Sequence, residues 1–134
     1  MQKSIIEELY SDSGPVNAQL IVSAIKSFIK VQREGNKIFL SEKGIASKSY
    51  IKILVYGLTK KLLKLEATIE AESISAKEVS EELNVKKGSV DPTFSVLRKK
   101  GFIIGSGTNY TIPNDKILKI VEILNNYKEN TNEQ

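Results

Sequence analysis

Residues 86–101 read KKGSVDPTFSVLRKKG and gather most of the groups this chain offers for chemistry. Lys86 and Lys87 open the stretch, Arg98, Lys99 and Lys100 close it, and Ser89, Thr93, Ser95 and the single acid Asp91 lie between them. Cations that bracket short polar side chains are suited to a polyanion: the cations neutralise phosphates, and the hydroxyls and the carboxylate can meet base edges. Lys77 upstream and Ser106, Thr108 and Asn109 downstream are candidates of the same kind. Other chemistries are poorly supplied. The chain has no cysteine, hence no disulfide and no thiolate zinc site. It has no histidine, which removes the commonest metal ligand and the usual general base. Gly-Ser-Gly-Thr at 105–108 lies between two strand-like runs and lacks the lysine of a P-loop. The expectation is a protein without catalytic residues, metal or cofactor, and without an evident small-molecule ligand.

These groups need elements to hold them. Val90, Phe94 and Leu97 stand at i, i+4 and i+7, which predicts a helix with one buried face. Pro92 is expected to mark the start of that helix, because amides of a first turn have no intrahelical partner. Upstream, Ser75-Ala76-Lys77-Glu78 is a capping-box sequence, Val79 and Leu83 give the short helix after it a buried side, and Asn84 suits its left-handed end. Downstream, the apolar runs 102–104 and 110–112 around Gly-Ser-Gly-Thr-Asn predict a hairpin.

The rest of the chain reads as further helices. Residues 2–10 form a short one, with Ile5, Ile6 and Leu9 on one side. Pro15 suits the first position of a second, whose apolar residues Leu20, Ile21, Ala24, Ile25, Phe28 and Ile29 keep helical spacing to about Arg33. Residues 37–41 read as a strand and 42–46 as a loop. Ser47 is placed to cap a helix reaching about Leu65, with a stripe of Ile51, Leu54, Val55, Leu58, Leu62 and Leu65 widened by Tyr50, Ile53, Tyr56 and Leu63. That width predicts a central helix covered on more than one side. Residues 66–73 read as fraying helix and acidic loop. A last helix, capped by Asn114 or Asp115, is expected to bury Ile117, Leu118, Val121 and Leu124.

The order from Ser47 onward is helix, loop, short helix, tight turn, helix with a polar face, hairpin. That order is the winged helix-turn-helix, which offers its second packed helix to the major groove and its hairpin to the flanking backbone. The expected fold is therefore mainly α with a small β-hairpin. It divides into a helical N-terminal region (1–46), a winged helix-turn-helix domain (47–113) and a C-terminal helix with a polar tail (114–134). GPVNAQLIVSAI at 14–25 can also be laid on GSVDPTFSVLRK at 88–99, and NKIF at 36–39 near NYTI at 109–112, so a degenerate second winged helix in the first half is the alternative.

GSVDPTFSVLRKKGFI resembles the recognition-helix segment of PadR-type transcriptional regulators, matching at Gly88, Ser89, Val90, Pro92, Thr93, Phe94, Leu97, Gly101 and Ile103. SAKEVSEELNV before it is similar to many bacterial and archaeal winged-helix regulators, the MarR type included. The resemblance covers residues 47–113 and implies a recognition helix at about 88–100 and a wing at about 102–112. It departs from the PadR pattern in three respects. Asp91 replaces an aromatic, the wing turn GSGTN carries no cation, and here a helical region comes before the domain.

Charge supports the same partner. Net charge is +4, and its distribution is uneven. Lys43, Lys48, Lys52, Lys60, Lys61 and Lys64 lie in a segment without acids, and five cations face only Asp91 between Asn84 and Gly101. Double-stranded DNA is the expected partner. The apolar N-terminal and C-terminal helices suggest a homodimer, which would double the DNA site. The function expected is prokaryotic or archaeal transcription regulation. The alternative is a winged-helix interaction or architectural module in a replication, partition or chromatin complex. The opening MQKSIIEELY lacks a signal-peptide core and no apolar run has membrane-spanning length, so a cytoplasmic location is expected.

Overall fold

The computed structural model describes residues 15–66, 69 and 71–127. The helix expected over 2–10 and the tail beyond 127 lie outside these residues. The described chain is mainly helical with two small antiparallel hairpins, in the order α1 (Pro15–Ile25), β1 (Ile29–Gln32), β2 (Lys37–Leu40), α2 (Glu42–Ala46), α3 (Ser49–Leu65), α4 (Ala76–Leu83), α5 (Lys87–Lys99), β3 (Ile104–Ser106), β4 (Asn109–Thr111) and α6 (Ile117–Asn126). No described helix is long and apolar enough to cross a membrane.

The first half departs from expectation at three places. α1 opens at Pro15 as its sequence suggests, but it ends at Ile25 rather than near Arg33. Ile29 instead begins a strand paired with β2, in register Ile29↔Leu40 to Gln32↔Lys37. Gly35 and Asn36 both take positive φ in the connecting turn. Phe28 and Ile29 are buried as the spacing requires, yet in a turn and a strand. Residues 42–46 form a short helix rather than a loop, because the Ser41 hydroxyl accepts from the Gly44 amide (3.2 Å). Ser47 does not cap α3. Its hydroxyl donates to the Gly44 carbonyl (2.6 Å) and closes α2, and Lys48 takes the N-cap position of α3 without a side-chain bond.

α3 is the axis of the molecule. Ile51, Ile53, Leu54, Val55, Tyr56 and Leu58 are all buried, whereas Leu65 at the end of the expected stripe is exposed. α3 touches α1, α2, α5 and α6. Gly57 lets the base of the second hairpin close on it: a Cβ there would sit 2.7 Å from Cδ1 of Ile112. One buried cluster runs from Ile21 in α1 to Leu124 in α6, through α3, α4 and α5.

α6 packs chiefly on α1. Neither Asn114 nor Asp115 supplies a side-chain cap; a single 3-10 turn (Asn114–Lys116) leads into it. Its buried residues are Ile117, Ile120, Val121 and Leu124, with Leu118 turned to solvent and Ile120 in its stead. Spacing explains the exchange, since 117, 120, 121 and 124 share one face and 118 lies off it.

Pro92 also sits differently. α5 begins at Lys87, so Pro92 falls in its second turn and does not mark the start. Its missing amide leaves the Gly88 carbonyl without the usual i+4 donor. Interior proline is worth roughly 3 kcal/mol less than alanine, and the stiffer unfolded chain returns about 0.4–1 kcal/mol. Pro92→Ala is therefore expected to raise stability by about 2–2.6 kcal/mol, read from a denaturant midpoint. A lower midpoint would show that the ring's packing outweighs the lost hydrogen bond.

Candidate nucleic-acid interface

α4 and α5 are built as a pair by local signals. Ser75 accepts from the Glu78 amide (3.0 Å), which starts α4. The second half of the capping box is absent, because the Glu78 carboxylate is engaged elsewhere: it accepts from the Tyr56 hydroxyl (2.8 Å) and pairs with Lys60. Asn84 adopts the left-handed conformation (φ 58°) that ends α4, and the Ser80 hydroxyl donates to the Val85 carbonyl. Asn84, Val85 and Lys86 then make the turn into α5. Val79 and Leu83 of α4 and Val90, Phe94 and Leu97 of α5 are buried, as their spacing predicts. The opposite face of α5 is left to solvent.

The second hairpin closes one end of that face. β3 and β4 pair through Ile104↔Thr111 and Ser106↔Asn109, leaving Gly107 and Thr108 at the turn. Gly105 (φ +131°) is required there, since a Cβ would lie 2.0 Å from the Asn109 carbonyl oxygen. Ile74, just before α4, exchanges two backbone hydrogen bonds with Tyr110 and so flanks β4 on its other edge. The Phe94 and Tyr110 rings meet edge to face with centroids 5.3 Å apart, which fixes the hairpin against α5.

Between these parts lies a groove of about 450 Å3 that brings together Lys77, Lys87, Asp91, Ser95, Arg98 and Thr108, over a floor that includes Phe94 and Tyr110. Lys86 and Ser89 are exposed at the N-terminal end of α5, and Lys99 is exposed at the other end. Ser106 and Asn109 are exposed as the last paired residues of the hairpin. Thr93 and Lys100 are not part of this face. They line a separate cleft with Tyr50, Val96 and Ile123, and the Thr93 hydroxyl is donated to the Ser89 carbonyl (2.7 Å).

Electrostatics sorts the lysines into two sets. In the basic segment 43–64, four of the six lysines have a partner within the molecule. Lys60 pairs with Glu78, Lys61 with Glu72, Lys52 bonds the Ser47 carbonyl, and Lys43 stands over the Phe28 ring (4.6 Å). Lys48 and Lys64 are exposed, with no carboxylate partner among the described residues. Around α5 the only ion pair among the described residues is Lys87–Asp91 (3.3 Å), one turn apart and exposed on both sides. It gives Asp91 a partner on its own helix face. Lys77, Lys86, Arg98, Lys99 and Lys100 have no carboxylate partner among the described residues.

A buried polar joint holds α4 to the first half. The Tyr56 hydroxyl reaches both Glu78 (2.8 Å) and Glu82 (2.7 Å), so its one proton serves one carboxylate at a time. Burial, then the bonds to Glu82 and Glu78, push the phenol well above its ordinary pKa. The other Glu82 oxygen accepts from the Ile38 amide of β2 (3.0 Å). No helical or strand periodicity announces these contacts.

Compared with protein-family models, with the curated proteins and with solved structures, the chain finds no match. The site is a helix face with small polar side chains, cations at its ends and along one flank, and a hairpin at its rim. Among the described residues no group of histidine, cysteine or acidic side chains could hold a metal ion. Sequence reasoning passed over Lys30, Arg33 and Lys37, which are exposed on the β1–β2 hairpin. Extending the first helix to Arg33 hid Lys30 and Arg33, whereas Lys37 lies in a strand already expected there.

Proposed function

We propose that this protein binds duplex DNA through α5 and acts as a prokaryotic or archaeal transcriptional regulator of the winged helix-turn-helix type. The observation that carries the reading is the groove joining Lys77, Lys87, Ser95, Arg98 and Thr108 beside cations that have no internal partner. The order α3, Ile74 bridge, α4, three-residue turn, α5, β3–β4 suits that fold. The likeness of residues 88–103 to PadR-type recognition segments supports it further. On this reading α5 enters the major groove, Ser95 and Asp91 face base edges, and Lys77, Lys86, Lys87, Arg98 and Lys99 meet phosphates. The β3–β4 turn offers only amides and the side chains of Ser106, Thr108 and Asn109.

A homodimer is part of the proposal. Val22, Val31 and Leu65 are exposed along an apolar groove of about 670 Å3 between α1, β1 and the end of α3. Sedimentation decides it, and a monomer at concentrations that saturate DNA would remove this part.

Selection of bound DNA from random fragments tests the whole reading. A palindromic consensus is the expected output, whereas salt-dependent binding without selected sequences would favour an architectural or interaction module. Single substitutions divide the roles. Lys86→Ala and Lys87→Ala are expected to weaken binding to every sequence alike, each lowering the salt slope by about one. Ser95→Ala and Asp91→Asn are expected to change which sequences are preferred, by about 1–3 kcal/mol per lost base contact. Variants that bind as the parent does, at every salt concentration and on every sequence, would overturn the DNA reading.

A further inference from the structure

The β3–β4 hairpin beside α5 carries no cation between Ile104 and Thr111. The hairpin of the first half does. α1 runs into β1–β2 as α5 runs into β3–β4, and the dipeptide Phe-Ile opens each, at Phe28–Ile29 and at Phe102–Ile103. The buried faces of the two helices are not in the same phase with respect to that dipeptide, so element order is shared and side-chain detail is not.

Strand alternation gives β1–β2 two different faces. Ile29, Ile38 and Leu40 turn inward or line the apolar groove. Lys30, Gln32, Lys37 and Phe39 turn outward, in the cross-strand pairs Lys30↔Phe39 and Gln32↔Lys37. Arg33 continues that charge into the turn, where Glu34 is the one acid. Among the described residues no carboxylate pairs with Lys30, Arg33 or Lys37. The hairpin is not a free arm: the Ile38 amide donates to Glu82 (3.0 Å), and β2 packs on α4. Glu82 lies in the last turn of α4, four residues before Lys86 across the Asn84 turn. Four residues span at most about 14 Å, so Lys37 and Lys86 stand within one helical turn of a duplex, about 34 Å.

We propose that β1–β2 is a second contact to duplex DNA, with Lys30, Arg33 and Lys37 holding phosphates beyond the N-terminal end of α5. The inference rests on α5 binding DNA and extends it: the phosphate grip missing from β3–β4 is supplied by a hairpin from the other half of the chain. Each phosphate neutralised contributes about 0.9 to the slope of log K against log salt. The triple variant Lys30→Gln, Arg33→Gln, Lys37→Gln is therefore expected to flatten that slope by about three on sonicated bulk duplex DNA. The sequence preference set by α5 should stay unchanged. Lys119→Gln, at an exposed cation of α6, should leave the slope as it is, and the charge-preserving pair Lys30→Arg, Lys37→Arg should retain it. A triple variant with the parent's slope, alongside a Lys86→Ala protein whose slope falls, overturns the hairpin contact and leaves the α5 reading standing. A parent protein with no salt-dependent binding overturns both. Loss of slope in the charge-preserving pair would show that hairpin shape rather than charge was disturbed, and would also overturn the inference.

Discussion

A chain that stops before Asn114 is expected to show no cooperative unfolding transition. α6 buries Ile117, Ile120, Val121 and Leu124, each at 6% exposure or less, and packs on α1 and α3. Side chains of this kind contribute about 1.5–3 kcal/mol each when fully buried, roughly 6–12 kcal/mol together as an upper figure. A whole domain of this size is stable by about 5–15 kcal/mol. Tyr127, just after the helix, adds a tilted contact with the Phe28 ring and accepts the Lys48 amide, so the start of α3 is tied to the same element. α6 therefore completes the core of the first half and is no appendage to the second hairpin. Circular dichroism during heating is the measurement. A sharp transition close to that of the parent would show that α6 contributes only local contacts.

Leu58→Ala carries the next largest expected effect. Leu58 is 0% exposed in the middle of α3, where Leu54 and Val55 are equally buried. Alanine removes most of its apolar side chain and leaves a cavity that neighbours from several elements cannot close together, at a cost of about 2–5 kcal/mol. The loss should appear as a lower denaturant midpoint at unchanged slope. On the proposed reading of α5, the variant should bind DNA below its melting range as the parent would, since no groove residue is touched. An unchanged midpoint would mean that the centre of α3 is not where the two halves share their core.

What the sequence determined by itself is local. Ser75 starts α4 because its hydroxyl needs only the amide three residues on, and Asn84 ends it because asparagine tolerates a left-handed backbone. Val90, Phe94 and Leu97 are buried because a helix puts them on one side, which leaves Asp91, Ser95 and Arg98 facing out. Glycines and strand-like flanks placed the β3–β4 turn. Most of the candidate face was therefore legible, since most of it lies on one helix and its two neighbours in sequence.

Tertiary structure decided whatever depends on residues far apart in the chain. The run from Ile25 to Ile29 satisfies helical spacing, but Phe28 and Ile29 are better buried in a turn and a strand once β2 lies alongside, and pairing of that kind leaves no periodic mark. The lysines of α3 look like a polyanion surface until Glu72 and Glu78 arrive from the segment that follows. Glu78 serves one end of a capping box in sequence, yet its carboxylate goes to Tyr56 and Lys60, where a buried hydroxyl and a nearby ammonium compete better than an amide at the helix start. Pro92 sits inside α5 because packing of Val90 and Phe94 on the core extends the helix upstream past the point where local preference would begin it. Free cations could be told from paired ones only when the carboxylates had been placed, because an ion pair is a fact about distance in space.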